Sequence, residues 1–295
     1  MNTPAARLGP ARSAIGRYEI DRKVGEGASG TVYRCHDPAL DRDVAVKLAH
    51  VETLGTEQLR QVVEDFRHEA KIAGKFAHEN IVTIHDVVTD EAQPYIVMEY
   101  VPGCSLDDYL KATGPLELDE ALAIAHACCR GLAYIHYHGI VHRDIKPGNI
   151  MYHPAHGIVK WMDFSVAHKM EEPPLRDTGT VAYMAPEHFD PARRISHLTD
   201  IFALGATLYR LLTGRYPFSR EHTAFQILHQ DPEPIASLRP DVPAPAEAMI
   251  ARAMAKADED RYQSAAEFAR AVAAVAREAF PDTGLLDAPP RYLLA

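Results

Sequence analysis

The chain has 295 residues, 47% hydrophobic and 24% charged, which is enough apolar material for one large core or two smaller ones and excludes a fibrous or disordered class. Its net charge of -10 speaks against nonspecific binding of nucleic acid, which is held by clustered Lys and Arg. No apolar run approaches the roughly 20 residues that span a bilayer, and Met1 to Ala14 lacks a signal-peptide core, so the expectation is a soluble, cytoplasmic protein without a membrane segment.

Residues 1–16 hold the breakers Pro4, Gly9 and Pro10 and read as a flexible N-terminal arm. Short β-rich runs follow at Tyr18 to Val24, Thr31 to Cys35 and Val44 to Leu48. Apolar residues then recur at helical spacing through Leu59, Val62, Phe66, Ala73 and Phe76, which predicts a helix over 56–76. Strands are expected at Ile81 to Val88 and Tyr95 to Tyr100. After Pro102-Gly103 the texture turns helical, with helices expected over 118–138, 200–212, 245–255 and 264–280. The tail, residues 281–295, is rich in Pro and small residues. Cys35, Cys104, Cys128 and Cys129 form no Cys-x-x-Cys pair, and the sixteen histidines are scattered, so the reading is reduced, packed thiols and no metal site made by the protein alone.

The chemistry-bearing motifs come in a fixed order. Gly25-x-Gly27-x-x-Gly30-x-Val32 is a glycine-rich turn between strands, where backbone amides can approach phosphate oxygens; the strand-like continuation argues against a Rossmann turn. In Val44-Ala45-Val46-Lys47, Ala45 and Lys47 share a strand face, so a small residue can lie over a flat base while the ammonium reaches phosphates. Glu69, on the inward face of the expected helix, is the natural partner of Lys47, ahead of Glu64 on a more polar flank. His142-Arg143-Asp144-Ile145-Lys146-Pro147-Gly148-Asn149 precedes a hairpin over 150–162 that delivers Asp163-Phe164-Ser165 beside Asn149. Asp144 suits a base or orienting group for a hydroxyl, Lys146 the neutralisation of developing charge, and Asn149 with Asp163 the oxygen ligands of Mg²⁺. Ala185-Pro186-Glu187 closes the series.

Together these motifs resemble the protein-kinase catalytic domain, over residues 17 to 280, and the Tyr95 to Val101 segment looks like the bacterial eukaryotic-like Ser/Thr kinases. The resemblance implies an α+β, bilobal fold with a β-rich N-lobe (17–98), a hinge (99–103) and a mainly helical C-lobe (104–280). It implies transfer of the γ-phosphoryl group of ATP to Ser/Thr hydroxyls of proteins, with Mg²⁺, or Mn²⁺ in its place. It makes Met98 the gatekeeper, Glu99 to Val101 the adenine-binding hinge, and Val32, Ala45 and Met151 the apolar sandwich around the base. Asp200 would anchor the catalytic loop, Glu187 would pair with Arg261, and His142 and Phe164 would stack with Ala73 and Ile84. Lys146 resembles the Ser/Thr-specific branch. The implied partners are protein substrates and a regulatory protein, with nothing to fix an oligomeric state.

Two positions depart from the family's pattern. Ser165 stands where the family has glycine, which is expected to cost dihedral freedom at a hinge. In the short activation segment Thr180 matches the threonine that bonds the catalytic aspartate and lysine, leaving Thr178 as the phosphosite that would answer Arg143, unless Asp177, Glu171 or Glu172 does so unmodified. The alternatives to an autophosphorylating protein kinase are a nucleotide-binding pseudokinase scaffold and a small-molecule phosphotransferase.

Overall fold

The computed structural model describes residues 14–27, 30–51, 55–89, 93–170, 180–219 and 223–286. It divides into two compact units: a smaller one running to Lys75 and resuming over Thr83–Val101, and a larger one made of Phe76–Val82 and everything from Pro102 onward. The division is not where the sequence places it, because Phe76–Val82 leaves the smaller unit's chain and joins the larger.

The smaller unit is an antiparallel sheet of β1 (Ala14–Ile15), β2 (Tyr18–Gly27), β3 (Gly30–Asp37), β4 (Arg42–Ala49), β5 (Ile84–Val88) and β6 (Tyr95–Glu99), in the order β1-β2-β3-β4-β6-β5. Pairing therefore starts at Ala14, ahead of the expected start at Arg17, with Ile15 buried against Tyr18 and Val44. Alternation sorts β4 onto two faces. Val44, Val46 and Leu48 bury one face with Cys35 and Val97, and Ala49 and Ile96 bury the other against Phe66. Phe66 sits on α1 (Thr56–Ala73), whose inward stripe is Val63, Phe66, Glu69, Ala70, Ile72 and Ala73. The helix stops at Ala73, short of the expected Phe76, where Gly74 caps it and donates to the Ala70 carbonyl.

In the larger unit, β7 (Cys104–Ser105), α2 (Leu106–Thr113) and α3 (Leu118–Tyr137) are followed by β8 (Ile140–Val141), the hairpin β9 (Ile150–His153) and β10 (Ile158–Trp161), and β11 (His168–Lys169). Then come α4 (His197–Thr213), α5 (Thr223–His229), α6 (Ile235–Leu238), α7 (Ala244–Ala253) and α8 (Ala265–Ala279). α4 begins before the expected Asp200 because Ser196 and Thr199 form a capping box at its start. The expected strand over 81–88 is cut short at Ile84. Ile81, fully buried, instead bridges Trp161 in parallel, Val82 donates to the Trp161 carbonyl, and Asn80 donates from Nδ2 to the Val159 carbonyl. No helix among the described residues is long and apolar enough to cross a membrane.

One ion pair ties the segment before α4 to the segment before α8. Arg261 and Glu187 have no exposed side-chain surface and are joined by two hydrogen bonds of 2.9 Å, with Thr199 Oγ1 donating to Glu187 at 2.8 Å and Arg261 donating to the Ala255 and Leu198 carbonyls. Burial pushes the Glu187 pKa up, but the Arg261 bonds outweigh it and hold the carboxylate below its ordinary range. Removing one partner strands the other charge, so Arg261→Met is expected to cost about 3–5 kcal/mol in chemical denaturation, and Glu187→Leu/Arg261→Met less than the sum of the single changes.

Beside this pair, Lys256 Nζ lies 4.5 Å from the centre of the Phe218 ring, buried without a hydrogen-bond acceptor among the described residues. Burial lowers its pKa from 10.5 to about 8. A lowered lysine pKa means the unfolded chain binds more protons between pH 8 and 10.5, so stability rises with pH across that window. Lys256→Met should therefore raise Tm below pH 8, by about 2–4 °C per 1 kcal/mol gained, and the advantage over wild type should shrink as pH approaches 10.5.

Candidate active site

In the smaller unit, strand register assembles one set of candidate residues. Gly25 pairs with Val32, Val32 with Lys47, and Ala45 with Met98, and cross-strand partners share a face, so all five lie on one side of the sheet. Lys47, 7% exposed, donates from Nζ to Glu69 Oε2 at 2.8 Å; Glu69 is 4% exposed, and the Phe66 ring lies beneath the ammonium at 5.6 Å. Pairing of β6 with β4 ends at Glu99, whose N–H donates to the Thr83 carbonyl, and Val101 follows, buried. Glu64 is exposed and bonded to Arg67.

The three glycines of the turn are not equivalent. None has a left-handed backbone. A Cβ on Gly30 would lie 2.3 Å from the Leu48 carbonyl oxygen, so Gly30 lets β3 close onto β4. Among the described residues, on Gly27 it would meet nothing within 4 Å, and on Gly25 only Val32 at 3.9 Å. Gly30→Ala is thus expected to lower stability by about 1–3 kcal/mol, as overpacking does, while Gly27→Ala leaves Tm unchanged; thermal unfolding of both variants checks this.

In the larger unit, the Asp144 carboxylate is a hub. Its Oδ1 accepts the Thr180 N–H at 3.1 Å and the Thr180 hydroxyl at 3.0 Å. Its Oδ2 accepts Asn149 Nδ2 at 2.8 Å and Lys146 Nζ at 2.6 Å. Lys146 also donates to Thr180 Oγ1 at 2.8 Å, and Asn149 Nδ2 donates again to the Asp144 carbonyl at 2.8 Å. Asn149 spends its amide nitrogen on Asp144, which turns its carbonyl oxygen the other way. Met162 N donates to the main-chain carbonyl of Asn149 at 3.0 Å, and that bond sets Asp163 next to Asn149 as β10 ends. Met151 is half-buried on β9.

The loop that carries Asp144 hangs from Asp200, which has no exposed surface. Its carboxylate accepts the N–H groups of His142 and Arg143, each at 2.8 Å, and His136 Nε2 at 2.9 Å. Burial raises the Asp200 pKa, but the His136 hydrogen bond and charge, with the charge and N–H of His142, bring it below the ordinary carboxylate range. His142 packs its ring 4.9 Å from Phe164, which packs 5.4 Å from Phe76. Ala73 and Ile84, expected in that stack, belong to the smaller unit.

Ser165 comes two residues after a left-handed residue rather than being one. The left-handed residue is Asp163, at φ 61°, and Ser165 has no positive φ, so serine bears no backbone cost in this conformation. Ser165 N donates to Asp163 Oδ1 at 3.2 Å. Arg143 is also left-handed, at φ 70°, and its guanidinium is buried with no hydrogen-bond acceptor among the described residues. Thr178, like Glu171, Glu172 and Asp177, lies outside the described residues. Sequence reasoning missed His136 as a ligand of Asp200, and it missed Arg210, which donates to the Tyr183 hydroxyl at 2.6 Å and to Asp107 at 2.8 Å. Neither sits in a motif, and spacing alone offered no signal for either.

A glycine-rich hairpin, a buried strand lysine paired with a helix glutamate, and a hydroxyl-facing aspartate bonded to lysine, asparagine and threonine define a phosphotransferase of the protein-kinase class. The model of the protein kinase domain matches residues 18–272, and the chain belongs to that family. It is 37% identical over 257 residues to the serine/threonine-protein kinase PrkC of Bacillus subtilis (85% of this chain, 39% of the relative). To PknB of Mycolicibacterium smegmatis it is 35% identical over 301 residues (93% and 47%), and to PksC of Streptomyces coelicolor 37% over 269 (85% and 48%). The chain spans less than half the length of these relatives.

Proposed function

We propose that the chain is the catalytic domain of a Ser/Thr protein kinase, which moves the γ-phosphoryl group of ATP to Ser or Thr hydroxyls of proteins. The observation that carries this reading is the Asp144 hub, a carboxylate held on both oxygens by Lys146, Asn149 and Thr180. The names of the relatives agree with it.

The residues present suit a nucleotide and a divalent cation. Among the described residues, a side chain on Gly27 would meet nothing and one on Gly25 would only touch Val32, so the glycines leave room along this face. Asn149 directs oxygen rather than nitrogen away from Asp144, and with the Asp163 carboxylate it forms the hard-oxygen pair that Mg²⁺, or Mn²⁺, accepts. When bound, Mg·ATP supplies the phosphoryl group and the charge that balances it. Lys47, fixed by Glu69, orients the phosphates; the face of Val32, Ala45 and Met98 and the Glu99–Val101 backbone bind the base. Asp144 aligns the acceptor hydroxyl and takes its proton at a carboxylate oxygen, and Lys146 Nζ offsets charge as the bond forms. The buried Arg143 guanidinium, with no acceptor among the described residues, favours an anion from the activation segment, for which we assign phosphate on Thr178 by autophosphorylation.

Asp144→Asn should lower turnover by about two to four orders of magnitude, the usual weight of a positioned base, with nucleotide affinity nearly unchanged. Steady-state assays on a Ser/Thr protein substrate beside nucleotide-binding titrations check this, and equal loss of both would refute the division of labour. After phosphatase treatment, Thr178→Ala should autoactivate more slowly than wild type; equal rates would remove Thr178 from the scheme.

A further inference from the structure

The face of the sheet opposite Lys47 carries a contact that the proposed chemistry does not use. Glu26 on β2 pairs with Thr31 on β3, and Thr31 pairs with Leu48 on β4, so these three share a face, and His50, two residues beyond Leu48, continues it. Thr31 is 7% exposed, and its hydroxyl lies 2.8 Å from His50 Nε2. The same nitrogen is 4.0 Å from Glu26 Oε1, and Glu26 is itself ion-paired with Lys23. His50 is mounted on a fixed part of the unit. Ala49 N donates to the Pro94 carbonyl at 3.0 Å, and Val51 packs on the cluster of Ala49, Phe66 and Ile96 beside α1.

We propose that His50 is a positioning residue for the glycine-rich hairpin: by holding Thr31 it ties the arms around Gly25, Gly27 and Gly30 to the anchored end of β4. The inference rests on the reading of that hairpin as the phosphate-binding element. Gly25 and Gly27 have no side chain with which to fix their arm, so what holds the described arms lies beside them, and Thr31 directly follows Gly30, which closes onto β4. Nε2 accepts the Thr31 O–H or donates to its oxygen according to the tautomer, so the bond forms in either arrangement. Glu26 on β2 lies near the same ring and is also paired with Lys23. Because the clasp lies on the face away from Lys47, it acts on nucleotide affinity and not on the transfer step.

The test is the KM for ATP, the kcat and the direct binding of a fluorescent ATP analogue in wild type, His50→Ala, Thr31→Val, the double variant and His50→Gln, with Tm measured on each. His50→Ala and Thr31→Val should each raise KM and Kd about 3- to 10-fold, the weight of one net hydrogen bond, with kcat within about twofold. The double variant should be no worse than either single one, and His50→Gln, which can still bond the hydroxyl, should recover most of the affinity. Unchanged KM and Kd in both single variants, additive losses in the double, or a fall in kcat that tracks a fall in Tm would overturn the clasp. A wild type that neither binds nor turns over nucleotide would overturn the underlying reading, and the clasp with it.

Discussion

A carboxylate with no exposed surface holds the larger unit's chemistry in place. Asp200 keeps its charge in the interior because backbone N–H groups of His142 and Arg143 and the His136 ring all point at it. Those N–H groups belong to the residues just before Asp144, so the buried charge dictates the path of the loop and thereby the direction in which Asp144 faces. The left-handed Arg143 is part of the same arrangement: its backbone turns so that successive amides converge on one carboxylate. Without Asp200 those amides would be buried and unanswered, and the hub of Lys146, Asn149 and Thr180 would have no fixed centre.

A second buried charge works on the other side of the activation segment. Glu187 follows Thr180 by seven residues, and its bonds to Arg261 and Thr199 hold the end of that segment against α4, the helix that also carries Asp200. Thr180, which touches Asp144, is thus set between two anchors: Asp200, the fourth residue of α4, and Glu187, held by Thr199, the third residue of α4, and by Arg261 ahead of α8. Both anchors are expensive to half-remove and inexpensive to keep, since each carboxylate finds its full set of donors within the fold.

Much of the candidate site was legible in the sequence because it is written in short motifs: Lys47, Asp144, Asn149 and Asp163 are spaced by strands, turns and hairpins of standard length. The helix α1 and its inward Glu69 followed from 3.6-residue periodicity, and β4 from alternation. What could not be read was long-range exchange. Ile81 looks like strand and is strand-like, but it pairs with Trp161, eighty residues on, because that is where its backbone and apolar side chain are both satisfied. The left-handed backbone at Asp163 also left no mark in the sequence, since aspartate is one of the few non-glycine residues that tolerate it. The short helix α2 carried a readable signal in Ser105 followed by Asp107 and Asp108, a cap and an acidic first turn.

The exchange of Phe76–Val82 also governs the order in which the chain can be completed. A ribosome that has released residues through Val101 has produced every strand of the smaller unit. It has also produced a seven-residue strip, including the buried Phe76 and Ile81, whose covering residues around Trp161 are still some sixty positions away. Neither unit is a continuous stretch of sequence, so neither can be cut out as a single fragment without exposing an apolar seam.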